Sequence, residues 1–142
     1  MNLALIQAKQ AFEKGEVPVG SVIVKNNQII SFAHNQTHRF HNPVGHGEIL
    51  ALQSAAQFLE TTYLENCDLY VTLEPCPMCA HAISLSRIRR LYFGAYDPKG
   101  GGVDHGPKIY QHASSFHKPE VYGGILEEEC GMLLKDFFKN KR

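Results

Sequence analysis

The stretch Asp68-Leu69-Tyr70-Val71-Thr72-Leu73-Glu74-Pro75-Cys76-Pro77-Met78-Cys79 decides how this chain folds. Asp68 to Leu73 is rich in Val, Tyr and Thr, which suit a pleated, half-buried surface, and reads as a strand. Pro77 stands where a first helical turn tolerates proline, so Pro77 to Ser86 reads as a helix close behind that strand. Arg90 to Ala95 is the next strand. Upstream, Ile49, Leu50, Leu52, Ala55, Ala56 and Leu59 recur at helical spacing between Gly47 and Leu59. Before them, Val17 to Val24 is β-rich, Asn26-Asn27 marks a tight turn, and Gln28 to Ala33 returns as the second strand of a hairpin. A first amphipathic helix, carried by Leu3, Ile6, Gln7 and Gln10 with Ala4, Ala8, Ala11 and Phe12, ends at Gly15. Downstream, Lys99 to Gly102 reads as a flexible loop, Glu120 to Tyr122 as a short edge strand, and Gly124 to Lys139 as a terminal amphipathic helix. Strands alternating with helices predict an α/β fold: a three-layer α/β/α sandwich around a mixed five-stranded sheet, as a single domain over residues 1–142.

The composition narrows the function classes. Of 142 residues 44% are hydrophobic and 20% charged, ordinary for a globular protein. No apolar run reaches 18 residues, so no membrane-spanning helix is expected. Residues 1–10 lack the pattern of a secretory signal, which gives a cytoplasmic expectation. Cys67, Cys76, Cys79 and Cys130 are then expected as thiols, with Cys67 and Cys130 acting as small buried hydrophobes. Fourteen basic and fourteen acidic residues cancel, but unevenly. Residues 1–86 carry 4 basic and 7 acidic side chains; residues 87–142 carry 10 and 7. Any footprint for nucleic acid is therefore local, with Arg87, Arg89, Arg90 and the cluster Lys135, Lys139, Lys141, Arg142 as candidates.

Two segments carry chemistry: His46-Gly47-Glu48 and, thirty residues on, Pro75-Cys76-Pro77-Met78-Cys79. Each begins a predicted helix, where free N–H groups and the helix dipole favour negative charge and stabilise thiolates. Two thiolates and one imidazole suit zinc and leave a fourth position for water, as in catalytic sites. A bound hydroxide is then a nucleophile near neutral pH. Glu48 stands two residues past His46, placed to take a proton from the water and return it to a leaving nitrogen. The Cys-x-x-Cys pair alone also fits half of a structural zinc site or a redox pair. His-x-Glu at one helix start joined to Pro-Cys-x-x-Cys at another is the zinc-deaminase signature.

On these motifs the sequence resembles the tRNA-specific adenosine deaminases of the TadA type, within the cytidine deaminase-like superfamily. The resemblance extends through Glu16-Val17-Pro18-Val19-Gly20, His46-x-Glu48-Ile49, Leu69 to Cys79, Ser86-Arg87-Ile88, Phe93-Gly94-Ala95-x-Asp97 and Gly124-Ile125-Leu126 to Phe137-Phe138. It implies a cytidine deaminase-like fold and hydrolytic deamination of the wobble adenosine of a tRNA anticodon stem-loop to inosine. It implies one zinc ion per subunit on His46, Cys76 and Cys79, with Glu48 as proton shuttle, and a homodimer. Asn35 matches a position that contacts the flipped base, Asp97 one near the substrate backbone, and His117 one lining the nucleic-acid groove. Asp97 equally fits a cap on the Pro98-Lys99-Gly100 turn. The chain departs from the family pattern at Gly47, Val44-Gly45, Gln36 and Tyr96. Two other functions stand beside this one. A free-base or nucleoside deaminase (cytosine or guanine) would use the same scaffold, and a zinc-stabilised RNA-binding module would have no need of Glu48.

Overall fold

Five strands lie in the order β2-β1-β3-β4-β5 in the computed structural model, which describes residues 1–141. Arg142 of the basic cluster lies outside the described residues. The strands are β1 (Gly20–Lys25), β2 (Gln28–His34), β3 (Cys67–Leu73), β4 (Arg90–Ala95) and β5 (Glu120–Tyr122). The helices are α1 (Asn2–Glu13), α2 (Gly47–Leu59), α3 (Pro77–Leu85) and α4 (Glu127–Asn140). β1 pairs antiparallel with both β2 and β3; β3, β4 and β5 run parallel. The expected mixed five-stranded α/β sandwich is the fold observed. Asn26 and Asn27 both have positive φ, 52° and 61°, as a two-residue hairpin turn with the right twist requires.

Alternation along the strands divides the side chains between two faces. Ile23, Leu69, Val71, Leu91 and Phe93 meet Ala51, Leu52 and Ala55 of α2 and Ala80 and Ile83 of α3 in the main core. A smaller cluster of Leu5, Ala95 and Cys130 forms under α1 and α4. Phe12 of α1 meets Phe137 of α4 edge to face at 5.7 Å.

The sequence reading and the structure differ at three elements. α1 buries Ala4, Leu5, Gln7, Ala8 and Ala11, while Leu3 and Ile6 are half exposed. Its small residues face the sheet because β1 approaches closely: a Cβ on Gly20 would overlap the Ala4 carbonyl oxygen. The last helix starts at Glu127, after a turn in which Gly124 and Leu126 have positive φ. Of the loop expected over Lys99 to Gly102, Lys99 and Gly100 are exposed, but Gly101 and Gly102 are buried and the Gly102 N–H donates to the Pro75 carbonyl. The β3–α3 junction, the β4 C-terminus and the α2 N-terminus meet at one end of the sheet, the end where open α/β sheets bind ligands.

Candidate active site

His46 is the N-cap of α2, Cys76 is the N-cap of α3, and Cys79 lies in the first turn of α3. Packing α2 beside α3 brings their N-termini together. His46 Nδ1 lies 3.6 Å from Cys76 Sγ and 3.5 Å from Cys79 Sγ. Tetrahedral zinc, with bonds of about 2.3 Å to sulfur and about 2.0 Å to nitrogen, sets such ligands roughly 3.5 Å apart. Among the described residues this is the one His/Cys/Asp/Glu group whose ligand atoms converge in this way. Glu48, in the first turn of α2, is 3% exposed, and its Oε1 has no hydrogen-bond partner among the described residues. A buried acceptor left unpaired beside three soft ligands is what a site arranged for a cation and its water needs.

The electrostatics agree with that chemistry. A hydrogen bond from the Cys79 thiol, and then one from His46, lower the Cys76 thiol to about 4. Cys79 is raised, first by that hydrogen bond to Cys76 and then by burial. His46 is raised, chiefly by its hydrogen bond to Cys76. Burial raises Glu48, which suits a group that must both take and return a proton. A cation at the convergence point would hold both sulfurs as thiolates.

The other expected site residues fare unequally. Asn35 is buried at the end of β2, and its Oδ1 accepts the Gly47 N–H at 2.7 Å, which satisfies a free amide of the α2 N-terminus. Its amide NH₂ makes no hydrogen bond among the described residues and stays available to a ligand. Asp97 does cap its own turn: Oδ1 accepts the Lys99 and Gly100 N–H groups at 3.2 and 3.0 Å. It also lines a groove of about 840 Å³ between the 96–100 turn and α4, with Tyr96, Lys99, Phe138 and Lys141. His117 is not brought to the His/Cys/Cys group. Its Nε2 donates to the Ile88 carbonyl at 2.7 Å and its own carbonyl accepts from Ser84 Oγ, both at the far end of α3.

Glu16 and Glu74, which in the sequence are only parts of longer motifs, organise the rims. Glu16 Oε1 accepts from Thr37 N, Thr37 Oγ1 and His38 N, and its Oε2 accepts from Arg39 N. It thereby fixes the loop that follows Asn35. Glu74 does the same for residues 97–105. An acidic residue at the edge of an apolar run was the only signal of either. Tyr110 had none: its buried hydroxyl has no partner among the described residues, and burial first, then the charges of Cys79 and Glu48, raise it. Arg87, Arg89 and Arg90 pair with Glu65, Asp68 and Glu120, so they are not free cations for a nucleic-acid footprint.

Comparison with known proteins places this geometry. The model of the MafB19-like deaminase family matches residues 1–142. The chain is 45% identical to a tRNA-specific adenosine deaminase of Agrobacterium fabrum, over all of this chain and 93% of that protein. It is 49% identical to one of Aquifex aeolicus, again over all of this chain and 93% of that protein. A solved structure from work on A-to-I editing by tRNA:A34 deaminases at the wobble position of transfer RNA superposes with a TM-score of 0.93 at 45% identity. That match covers 94% of this chain and 97% of the other. The chain belongs to the MafB19-like deaminase family, in the branch that holds these tRNA-specific adenosine deaminases.

Proposed function

We propose that this chain is a single-domain, zinc-dependent hydrolase that deaminates adenosine to inosine at the wobble position of a tRNA anticodon. The observation that carries this reading is the convergence of His46, Cys76 and Cys79 beside the unpaired Glu48 Oε1, in a chain so similar to tRNA-specific adenosine deaminases. His46 Nδ1 and the two sulfurs would hold one zinc ion per chain. When bound, zinc makes water a nucleophile near neutral pH. Glu48 takes the proton of the attacking water at Oε1. It then delivers that proton to the leaving amino group as ammonia departs from C6, so adenosine and water give inosine and ammonia. Asn35 offers its free amide to an edge of the extruded base. Asp97 and the groove beside it receive the flanking backbone, with Lys99 and Lys141 facing phosphate. His117 enters only as a support of residues 112–118, because its ring is engaged with Ile88.

A cytoplasmic location fits this substrate, and among the described residues no helix is long and apolar enough to cross a membrane. A homodimer fits two large apolar side chains left at one end of α3. Leu85 is 62% exposed and Phe116 is 95% exposed, and Phe116 is tied there by the Ser84–His117 hydrogen bond. Sedimentation is expected to give twice the 15.9 kDa chain mass.

The decisive assay incubates the protein with an anticodon stem-loop and measures inosine by chromatography after nuclease digestion. Consumption of free guanine or cytosine with no inosine in the stem-loop would overturn the reading. Elemental analysis is expected to find one zinc per chain and to find it lost in Cys76→Ser. Full occupancy in that variant would reject Cys76 as a ligand.

A further inference from the structure

We propose that Glu74 is a positioning residue: its carboxylate fixes residues 97–105 against the turn that carries Cys76, and so sets where substrate rests. The identity of the substrate rests on the function proposed above; the clamp itself rests on geometry.

Glu74 stands where β3 ends, two residues before Cys76, and is 2% exposed. Five donors converge on it. Oε1 accepts from Asp97 N at 3.0 Å and His105 Nδ1 at 2.8 Å. Oε2 accepts from Val103 N at 3.2 Å, Asp104 N at 2.9 Å and His105 N at 3.0 Å. Only an ionised carboxylate offers acceptor sites on both oxygens without presenting a donor. The same segment hangs from the neighbouring residue, since Gly102 N–H donates to the Pro75 carbonyl at 2.8 Å. Two glycines let it come this close. A Cβ on Gly101 would overlap the Glu74 carboxylate, and one on Gly102 would press on the backbone of Cys76 and Pro77. The wall bearing Asp97 and the turn bearing Cys76 therefore move as one piece, with Glu74 as the joint. A rim set before substrate arrives removes an ordering cost from binding.

The test compares wild type with Glu74→Gln, in which the side-chain amide faces donors on one side. In the variant, exchange of the Val103, Asp104 and His105 amides is expected to quicken at least tenfold, with metal content unchanged. The kcat/KM on an anticodon stem-loop is expected to fall about 10- to 100-fold, mostly through KM. His105→Ala removes one donor of five at a side chain that is 35% exposed, so it keeps the fold. It should shift both readouts in the same direction by less, and it decides the matter if Glu74→Gln does not fold. Unchanged amide exchange overturns the clamp. Faster exchange with unchanged KM and kcat overturns the positioning role. Wild type inactive on the stem-loop but active on a free base sinks the functional reading instead, and exchange alone then judges the clamp.

Discussion

At Glu48 one carboxylate is buried with an oxygen that none of the described residues satisfies. Such an atom costs stability, so its presence points to chemistry. Glu48→Gln keeps shape and volume and removes only the proton carrier. The expected result is full metal content, an unchanged fold and deamination reduced by about 10²-fold to 10⁴-fold or more. Retained turnover would reject the shuttle. Asn35 holds the Gly47 N–H, and in the proposed function its amide also meets the base. Asn35→Ala leaves the Gly47 N–H unpaired in a buried setting, so stability should fall by about 1–3 kcal/mol in urea unfolding, along with activity. Unchanged stability would mean that this hydrogen bond is unimportant in solution. The sequence showed His46, Glu48, Cys76 and Cys79 because ligand chemistry leaves a short, local spacing. It showed only half of Asn35, since the amide it caps is twelve residues away and no spacing rule announces that contact. It did not show what holds the His117 ring, a carbonyl twenty-nine residues upstream.

Apolar packing holds the helices of the site, but buried carboxylates hold the loops around it. Glu16 anchors the loop after Asn35 as Glu74 anchors the loop after β4. Burial alone would raise Glu16, but hydrogen bonds from Arg39, His38 and Thr37 outweigh it and leave the group below the ordinary carboxylate range. A folded-state pKa below the unfolded value of about 4.3 contributes stability above that pH, and the contribution is lost as pH falls through the folded value. Glu16→Gln should therefore cost about 1–3 kcal/mol at neutral pH, with the gap to wild type closing as pH drops below about 4. Urea unfolding of both proteins between pH 6 and 3 checks this. Both carry the same metal site, so their difference isolates the carboxylate. A gap that stays constant would show that Glu16 is not ionised in its clamp. Periodicity and turn chemistry made the hairpin, α2, β3, α3 and β4 legible. They could not show why Gly101 and Gly102 are buried, because these two glycines answer to Glu74 and Pro77, far off in sequence. They left open which face of α1 is buried, where close approach to Gly20 selects alanines over Leu3 and Ile6.

Over the whole molecule, the zero net charge divides along the chain and again through space. Arg87, Arg89 and Arg90 lie at or just before the β4 N-terminus, opposite the site, and acidic partners hold them. Arg89 makes a two-pronged pair with Asp68, with both contacts at 3.0 Å. Counting charges by segment could find the surplus but not its cancellation, which depends on which strands adjoin. Among the described residues no salt bridge involves a lysine. Of these unpaired lysines, Lys99 beside Asp97 and Lys135, Lys139 and Lys141 on and just after α4 line the grooves around exposed Phe138, and they are the candidates for phosphate. Each lysine that neutralises a phosphate adds about 0.7–0.9 to the slope of log affinity against log salt. Replacing Lys135, Lys139 and Lys141 together by Gln should raise KM for the anticodon stem-loop and flatten its salt dependence by about two to three units of slope. kcat at saturating substrate should stay near wild type, because none of the three reaches the His/Cys/Cys group. Replacing Arg89 by Gln should leave the slope unchanged and serves as the control. If the arginine variant flattens the slope and the lysine variant does not, the nucleic acid crosses the opposite end of the sheet, and the groove beside Asp97 is not its path.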